Sequence, residues 1–307
     1  MTAFRRELSV GLVLAGLFGV LAWVAPGFFG RAHLLALLSA AAPVLVVSCG
    51  MALVMVSRQI DISVGSQFAW CSVLVGLLAR AGWPMPIAAT AAVLAGAAFG
   101  ALNGVFVAGL RLPSIVVTLA LMVTGREALR WTREGEFVRD LPDQFQWFGL
   151  SQTSGMLLIP AVAAAVLLAL GWAARRMAIG RWVYAVGSDA EAARLAGISP
   201  QRVTFGVFTL LGALTGLAAV LNAVRFTDID PKTGTGLELQ AIAAAVVGGV
   251  AVRGGRGRLR GVFLGVLLLA CIGPALVFLG IPPQWEKAVQ GGIILLAVAT
   301  EGGGGRR

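Results

Sequence analysis

Tyr184-Ala-Val-Gly-Ser-Asp-Ala-Glu-Ala-Ala-Arg-Leu-Ala-Gly-Ile198 is a polar, arginine-flanked interruption in a chain that is otherwise a succession of apolar runs. Asp189 is suited to cap a helix whose first turn carries Glu191, with Ala192, Ala193, Leu195 and Ala196 as helix formers and Arg194 among them. Gly197 stops it, and Ile198 follows. The spacing predicts about eight residues over 189–197, roughly two turns. Its apolar side holds Ala192, Leu195 and Ala196. A short helix held between two membrane segments fits a groove on a soluble partner. A solvated loop with one helical turn accounts for the same spacing, and spacing alone leaves both readings open.

Outward from this stretch, apolar runs fall at about 8–25, 34–57, 66–80, 84–108, 113–130, 156–174, 204–224, 240–252, 261–279 and 286–300. Hydrophobic residues make up 58% and charged residues 12% of the 307, with a mean hydropathy of +0.90. A soluble domain carries about 25% charged residues, so the solvent for most of this chain is lipid. The expectation is an all-α, polytopic membrane protein of about ten transmembrane helices. It forms a single membrane-embedded domain over 1–307, with 175–203 as a loop within it. Several runs are shorter than the ~20 residues of a straight span, so broken or re-entrant segments are expected. The first run has no small-residue cleavage site after it, and Ala25-Pro26 blocks one. It reads as a retained span.

Charge orients the bundle. Ten crossings put both termini, Arg58, Arg111, the 175–203 loop and Arg253–Arg260 on one side, which collects fifteen of the 24 basic residues and five of the 14 acids. The other side holds nine of each. The positive-inside rule then places both termini and 175–203 in the cytoplasm. Placement accounts for the net charge of +10 without nucleic acid as a partner.

The residues exclude several chemistries. Cys49, Cys71 and Cys271 lie singly inside apolar runs and read as small core residues rather than a disulfide or metal site. His33 has no neighbouring ligand type and reads as a loop or interfacial residue. No cofactor is indicated, and no nucleophile–base combination stands out. Gly248-Gly249 followed by Arg253–Arg260 lacks the preceding strand and the Gly-Lys-Ser/Thr of a phosphate loop, so it reads as a flexible basic turn. Gly96, Gly100 and Gly104 form a stripe at four-residue spacing, repeated at Gly212/Gly216 and Gly261/Gly265, which lets helix backbones approach closely in lipid. Asn103 and Asn222 are amides inside apolar runs, suited to interhelical hydrogen bonds or to a pathway. Asp61 and Ser63, in the polar stretch Arg58–Ser66, cap the next helix or line a broken-helix element at a cavity.

Three segments together resemble one family: Arg58-Gln-Ile-Asp-Ile-Ser-Val-Gly-Ser66, Tyr184–Ile198, and Ala244-Ala-Val-Val-Gly-Gly-Val-Ala-Val-Arg-Gly-Gly-Arg-Gly257. They are similar, in order and spacing, to the ribose-type permeases of bacterial ABC importers. Leu112-Pro-Ser-Ile-Val-Val-Thr-Leu119 is a fourth, and the likeness runs from about residue 8 to 300. Glu136-Phe-Val-Arg-Asp-Leu-Pro142 and Thr233-Gly-Thr-Gly-Leu-Glu238 are nearest the autoinducer-2 branch of that family. The chain departs from it at Arg58, where many relatives have glycine, and in the arginine content of 253–260.

The resemblance implies a permease subunit in the bacterial inner membrane, moving a sugar or sugar-like molecule by ATP-driven alternating access. Its implied partners are a separate ABC ATPase, a second permease copy or sister permease, and a periplasmic sugar-binding protein. Residues 189–198 become the helix coupled to the ATPase. Asp61, Ser63, Asn103 and Asn222 are pathway hypotheses. A stand-alone secondary transporter or channel is the rival reading; it requires an intramembrane ion or proton site, and no Asp-Glu-His chain is apparent. An intramembrane enzyme lacks its catalytic pair.

Overall fold

The computed structural model describes the backbone of residues 2–303 and the side chains of 7–296. Twelve α-helices follow in order: α1 Thr2–Val24, α2 Arg31–Val56, α3 Val64–Arg80, α4 Met85–Gly104, α5 Ser114–Arg133, α6 Gln152–Arg176, α7 Ala178–Ser188, α8 Ala190–Leu195, α9 Pro200–Ala223, α10 Leu237–Val247, α11 Leu259–Phe278 and α12 Trp285–Gly303. Among the described residues the only β pairing is one antiparallel bridge, Val138 with Ile229.

Among the described residues, six helical stretches are long and apolar enough to cross a membrane: Glu7–Val24, Arg31–Val56, Met85–Gly109, Gln152–Arg176, Pro200–Ala223 and Leu259–Phe278. The chain is therefore a multi-pass membrane protein. The other apolar runs differ for physical reasons. α3 has 17 residues. α10 has 11, about 16 Å of rise against a hydrocarbon layer about 30 Å thick. α5 carries Arg126, Glu127 and Arg130 in its second half.

α2 is the axis of the bundle, with 83% of its apolar window buried, whereas α6 has 11% buried and faces outward. Around α2 pack α9, α6, α10 and α11. The tightest seam joins α4 to α9. A Cβ built on Gly96 would run into the Gly212 carbonyl oxygen, and one on Gly100 into that of Phe208. At Gly104 it would come within 3.1 Å of the Phe205 Cα. A second seam joins α11 to α10, where Gly261 faces the Gly248 carbonyl and Gly265 that of Ala244. In lipid, where burying apolar area gains little, such backbone proximity supplies the van der Waals contact that holds helices together.

His33 lies in the first turn of α2, its ring centroid 4.9 Å from both Phe28 and Phe278. It is an aromatic packing residue. Cys49, Cys71 and Cys271 are buried free thiols.

Candidate functional site

At one end of the bundle the basic segments meet. The 175–203 connection is three helical pieces rather than one loop: the end of α6, then α7, then α8. Asp189 ends α7 and caps α8, its Oδ1 accepting from the amides of Glu191 at 2.9 Å and Ala192 at 3.0 Å. Those two amides, Ala192's first, hold its carboxyl below the usual carboxylate range. Glu191 accepts from Arg194 Nε at 3.0 Å. The helix ends in a Schellman motif: Ile198 N–H reaches Ala193 O, and Gly197 N–H reaches Arg194 O, both at 3.0 Å. Gly197 has φ +82°, a conformation that glycine adopts without a Cβ penalty.

The helix is six residues long, not eight, because the Schellman closure takes Ala196 and Gly197 out of it. Its orientation also differs from the simple amphipathic reading. Ala193 is the buried residue, while Ala192, Leu195 and Ala196 are exposed, Leu195 to 78%. An apolar side chain is thus presented away from the bundle on a short, doubly capped helix.

α8 is tied inward. Arg58 Nε donates to the Gly187 carbonyl at 2.7 Å and Nη2 to that of Ser188, at the C-terminus of α7. Arg58 itself has φ +65°, so a branched-charge side chain occupies backbone that favours glycine. Gly187 has no room for a Cβ beside the Val56 carbonyl, and Gly255 N–H donates to that same carbonyl at 2.8 Å. The α2 terminus, the 253–258 turn and the approach to α8 therefore form one packed knot.

From Arg58 the chain leaves helical geometry until α3 begins. Ile60 N–H donates to Ser114 Oγ at 3.3 Å and Ile62 N–H to Thr118 Oγ1 at 3.1 Å, so this segment climbs along the start of α5. Between them Asp61 points into the core and is fully buried. Its Oδ1 accepts from Ser63 N–H at 2.8 Å and Ser63 Oγ at 2.6 Å. Its Oδ2 accepts from Asn103 Nδ2 at 2.8 Å and more weakly from Gln67 Nε2 at 3.5 Å. Asn103 and Gln67 also donate to Ser63 Oγ, at 2.8 and 2.7 Å. A buried carboxylate is tolerable only when hydrogen-bonded in this way. Asn103 stands one residue before the end of α4, where the helix widens into a π turn over Val105–Gly109, a feature frequent at functional sites.

Asp61, Ser63 and Asn103 thus form one cluster, and Asn222 does not join it. Asn222 sits near the far end of α9, its Oδ1 accepting from Arg225 Nη1 at 3.2 Å. The cluster lies beside the Phe205 end of α9, some seventeen residues and about 25 Å away along the helix.

A second polar group was not legible from composition. Arg126 Nη2 lies 3.7 Å from Glu238 Oε2, with side-chain exposures of 25% and 11%. Arg126 Nη1 donates to Thr235 Oγ1 at 2.7 Å. An added Cβ at Gly65 would meet the Gly234 carbonyl at 2.6 Å and Arg126 Nη2 at 2.7 Å. Trp70 Nε1 donates to Gly125 O at 2.8 Å alongside. Twelve residues beyond Ser114, Arg126 is about 18 Å along α5 from the Ile60 contact. The stretch before α10 reaches it by following α3 from Gly76, where Ile229 packs, down to Gly65, where Gly234 packs. Two irregular segments, 57–63 and 225–236, therefore meet around the start of α3, packed against α5.

Comparison with known proteins gives a consistent kinship. A family described as branched-chain amino acid transport system / permease component matches residues 33–298. The autoinducer 2 import system permease protein LsrC of Enterobacter sp. (strain 638) is 35% identical over 300 residues, covering 97% of this chain and 87% of that protein. Its counterparts from Escherichia coli (strain K12 / DH10B) and Shigella flexneri are each 35% identical over 303 residues, with the same coverage. No solved structure matches. A multi-pass helical bundle with irregular segments at its centre, matched in sequence from end to end, belongs to the permease-component family of the branched-chain amino acid transport systems.

Proposed function

We propose that the chain is the transmembrane permease subunit of an ABC importer in the bacterial inner membrane, carrying a sugar-like small molecule, with autoinducer 2 the first candidate. The observation that carries this reading is α8: a rigidly capped helix, exposing Leu195 at the basic end and knotted through Arg58 to the segment that ends in the Asp61 cluster. A separate ATPase grips α8. Its closure moves α7 and Arg58, and the 57–63 segment re-packs while the glycine-lined α4 and α9 slide against each other. The substrate arrives from a periplasmic binding protein, passes between this chain and an identical or sister copy, and meets Asp61, Ser63, Asn103 and the Arg126–Glu238 pair. Both termini and α8 face the cytoplasm.

Asp61 and the Arg126–Glu238 pair also suit a stand-alone, ion-coupled transporter. Uptake of labelled autoinducer 2 into cells separates the two. Uptake that survives an uncoupler and stops on ATP depletion supports the importer; uptake abolished by the uncoupler at normal ATP rejects it. Glu191→Lys combined with Gly197→Trp abolishes uptake and ATPase co-purification while leaving the chain in the membrane. Retained uptake in that variant removes α8 from the coupling role.

A further inference from the structure

We propose that the basic cavity between the α6–α7 corner and the Gly257–Arg258 turn binds a phosphate-bearing anion, the headgroup of an anionic phospholipid. The cavity measures about 350 Å3 and is lined by Ala174, Arg175, Arg181, Tyr184, Gly257 and Arg258. Three guanidinium groups converge on it. Arg258 Nη1 lies 3.8 Å from Glu7 Oε2, but among the described residues no carboxylate pairs with Arg175 or Arg181. Arg181 Nη1 donates only to the Arg176 carbonyl, at 3.1 Å. Guanidinium forks match the paired oxygens of a phosphodiester bidentately, as they do those of a carboxylate.

The floor is held in place. Tyr184 donates its hydroxyl to the Gly257 carbonyl at 2.9 Å. Burial pushes its phenol above the ordinary value, with Arg175 and Arg258 pulling the other way. The hydroxyl proton is therefore kept, and Arg175 and Arg181 remain the free donors of the cavity.

The rim points to lipid rather than to free phosphate. Trp172 is 63% exposed and Ile179 60%, with Met177 and Trp182 beside them. They stand within a few positions of Arg175 and Arg181 on α6 and α7, and are apolar and indole side chains of the kind that settle at a membrane interface. Unpaired arginines under such a rim suit an acidic headgroup whose acyl chains lie on the outward face of α6.

Native mass spectrometry of the detergent-purified chain, titrated with phosphatidylglycerol or phosphatidylcholine, tests this. One phosphatidylglycerol per chain is retained in preference to phosphatidylcholine. Arg175→Gln with Arg181→Gln weakens retention roughly tenfold or more, the corresponding lysine pair weakens it less, and Arg253→Gln leaves it unchanged. If the double variant fails to stay monodisperse, Arg181→Gln alone, at an exposed side chain, carries the same test with a smaller loss. Equal retention of the two lipids, or of phosphatidylglycerol by wild type and variants, overturns the site. Inorganic phosphate displacing the lipid from wild type, and itself lost in the variants, overturns the lipid assignment in favour of free phosphate.

Discussion

Arg58 and Gly187, 129 positions apart in the chain, are joined by a 2.7 Å hydrogen bond from the guanidinium Nε to the carbonyl. That bond connects the foot of α8 to the irregular segment holding Asp61. Arg58 sits in left-handed backbone, at a cost of about 1–2 kcal/mol for a residue with a Cβ, which the carbonyl contacts offset. Arg58→Gly relieves that strain and removes the link. The variant keeps a melting temperature near wild type, while uptake per ATP hydrolysed falls several-fold in proteoliposomes. Arg58→Lys does not rescue it, since a point charge cannot bridge two carbonyls. Unchanged coupling in Arg58→Gly removes the mechanical role.

The α4–α9 seam has no slack. Gly100→Ala drives a methyl into the Phe208 carbonyl and costs about 1–3 kcal/mol. Gly171→Ala meets nothing within 4 Å and is silent. Thermal unfolding in detergent reads the difference, and equal melting temperatures would contradict the packing described.

Asn103→Leu strips a donor from a fully buried carboxylate. The loss is about 1–3 kcal/mol, more if Asp61 stays charged. Combining it with Asp61→Asn recovers part of that loss, because no ionised group is left stranded. A double-mutant cycle showing strict additivity would mean that the two side chains do not share a network.

Glu238→Gln leaves the largely buried Arg126 cation without its counter-charge and destabilises more than the paired change Arg126→Gln with Glu238→Gln. Expression level and monodispersity report it; a double variant worse than the single one contradicts the pairing.

Asp189 gives α8 a pH signature. Its folded pKa is depressed, so the cap is at full strength above the unfolded carboxylate value of about 3.9 and is lost as pH falls through the lower, folded value. The protection factor of the Ala192 amide, its exchange corrected for the intrinsic pH dependence, falls in that acid window and is steady above it. Asp189→Asn, which caps without titrating, flattens the profile. A wild-type profile as flat as that of the variant would show that the carboxylate is not the cap.

Local signals carried the sequence reading furthest. Asp189 and Gly197 mark the ends of α8 because capping is settled within a turn, and the four-residue glycine spacing marks a close-packing face because it is a property of one helix. What faces the stripe is not local: only folding brings Gly212 opposite Gly96. Arg126 and Glu238 stand at the margins of apolar runs, where charge normally means solvent. Their pairing follows from the 225–236 stretch, which runs along α3 from Gly76 to Gly65. Asn222 shows the converse, since an amide inside an apolar run says nothing about which end of its helix faces the cluster. The outward turn of Leu195 likewise follows from how α7 and α9 hold Ala193, not from the period of the hexamer.

Val138 and Ile229 exchange both backbone hydrogen bonds, at 3.0 and 3.1 Å, and Trp147 N–H adds a third to Val224 at 2.7 Å. These stitches fasten the two connections at the end opposite α8 into a single flap. Lifting the 134–151 connection would therefore pull on the 225–236 segment that rests against Gly65, so the two move as one piece.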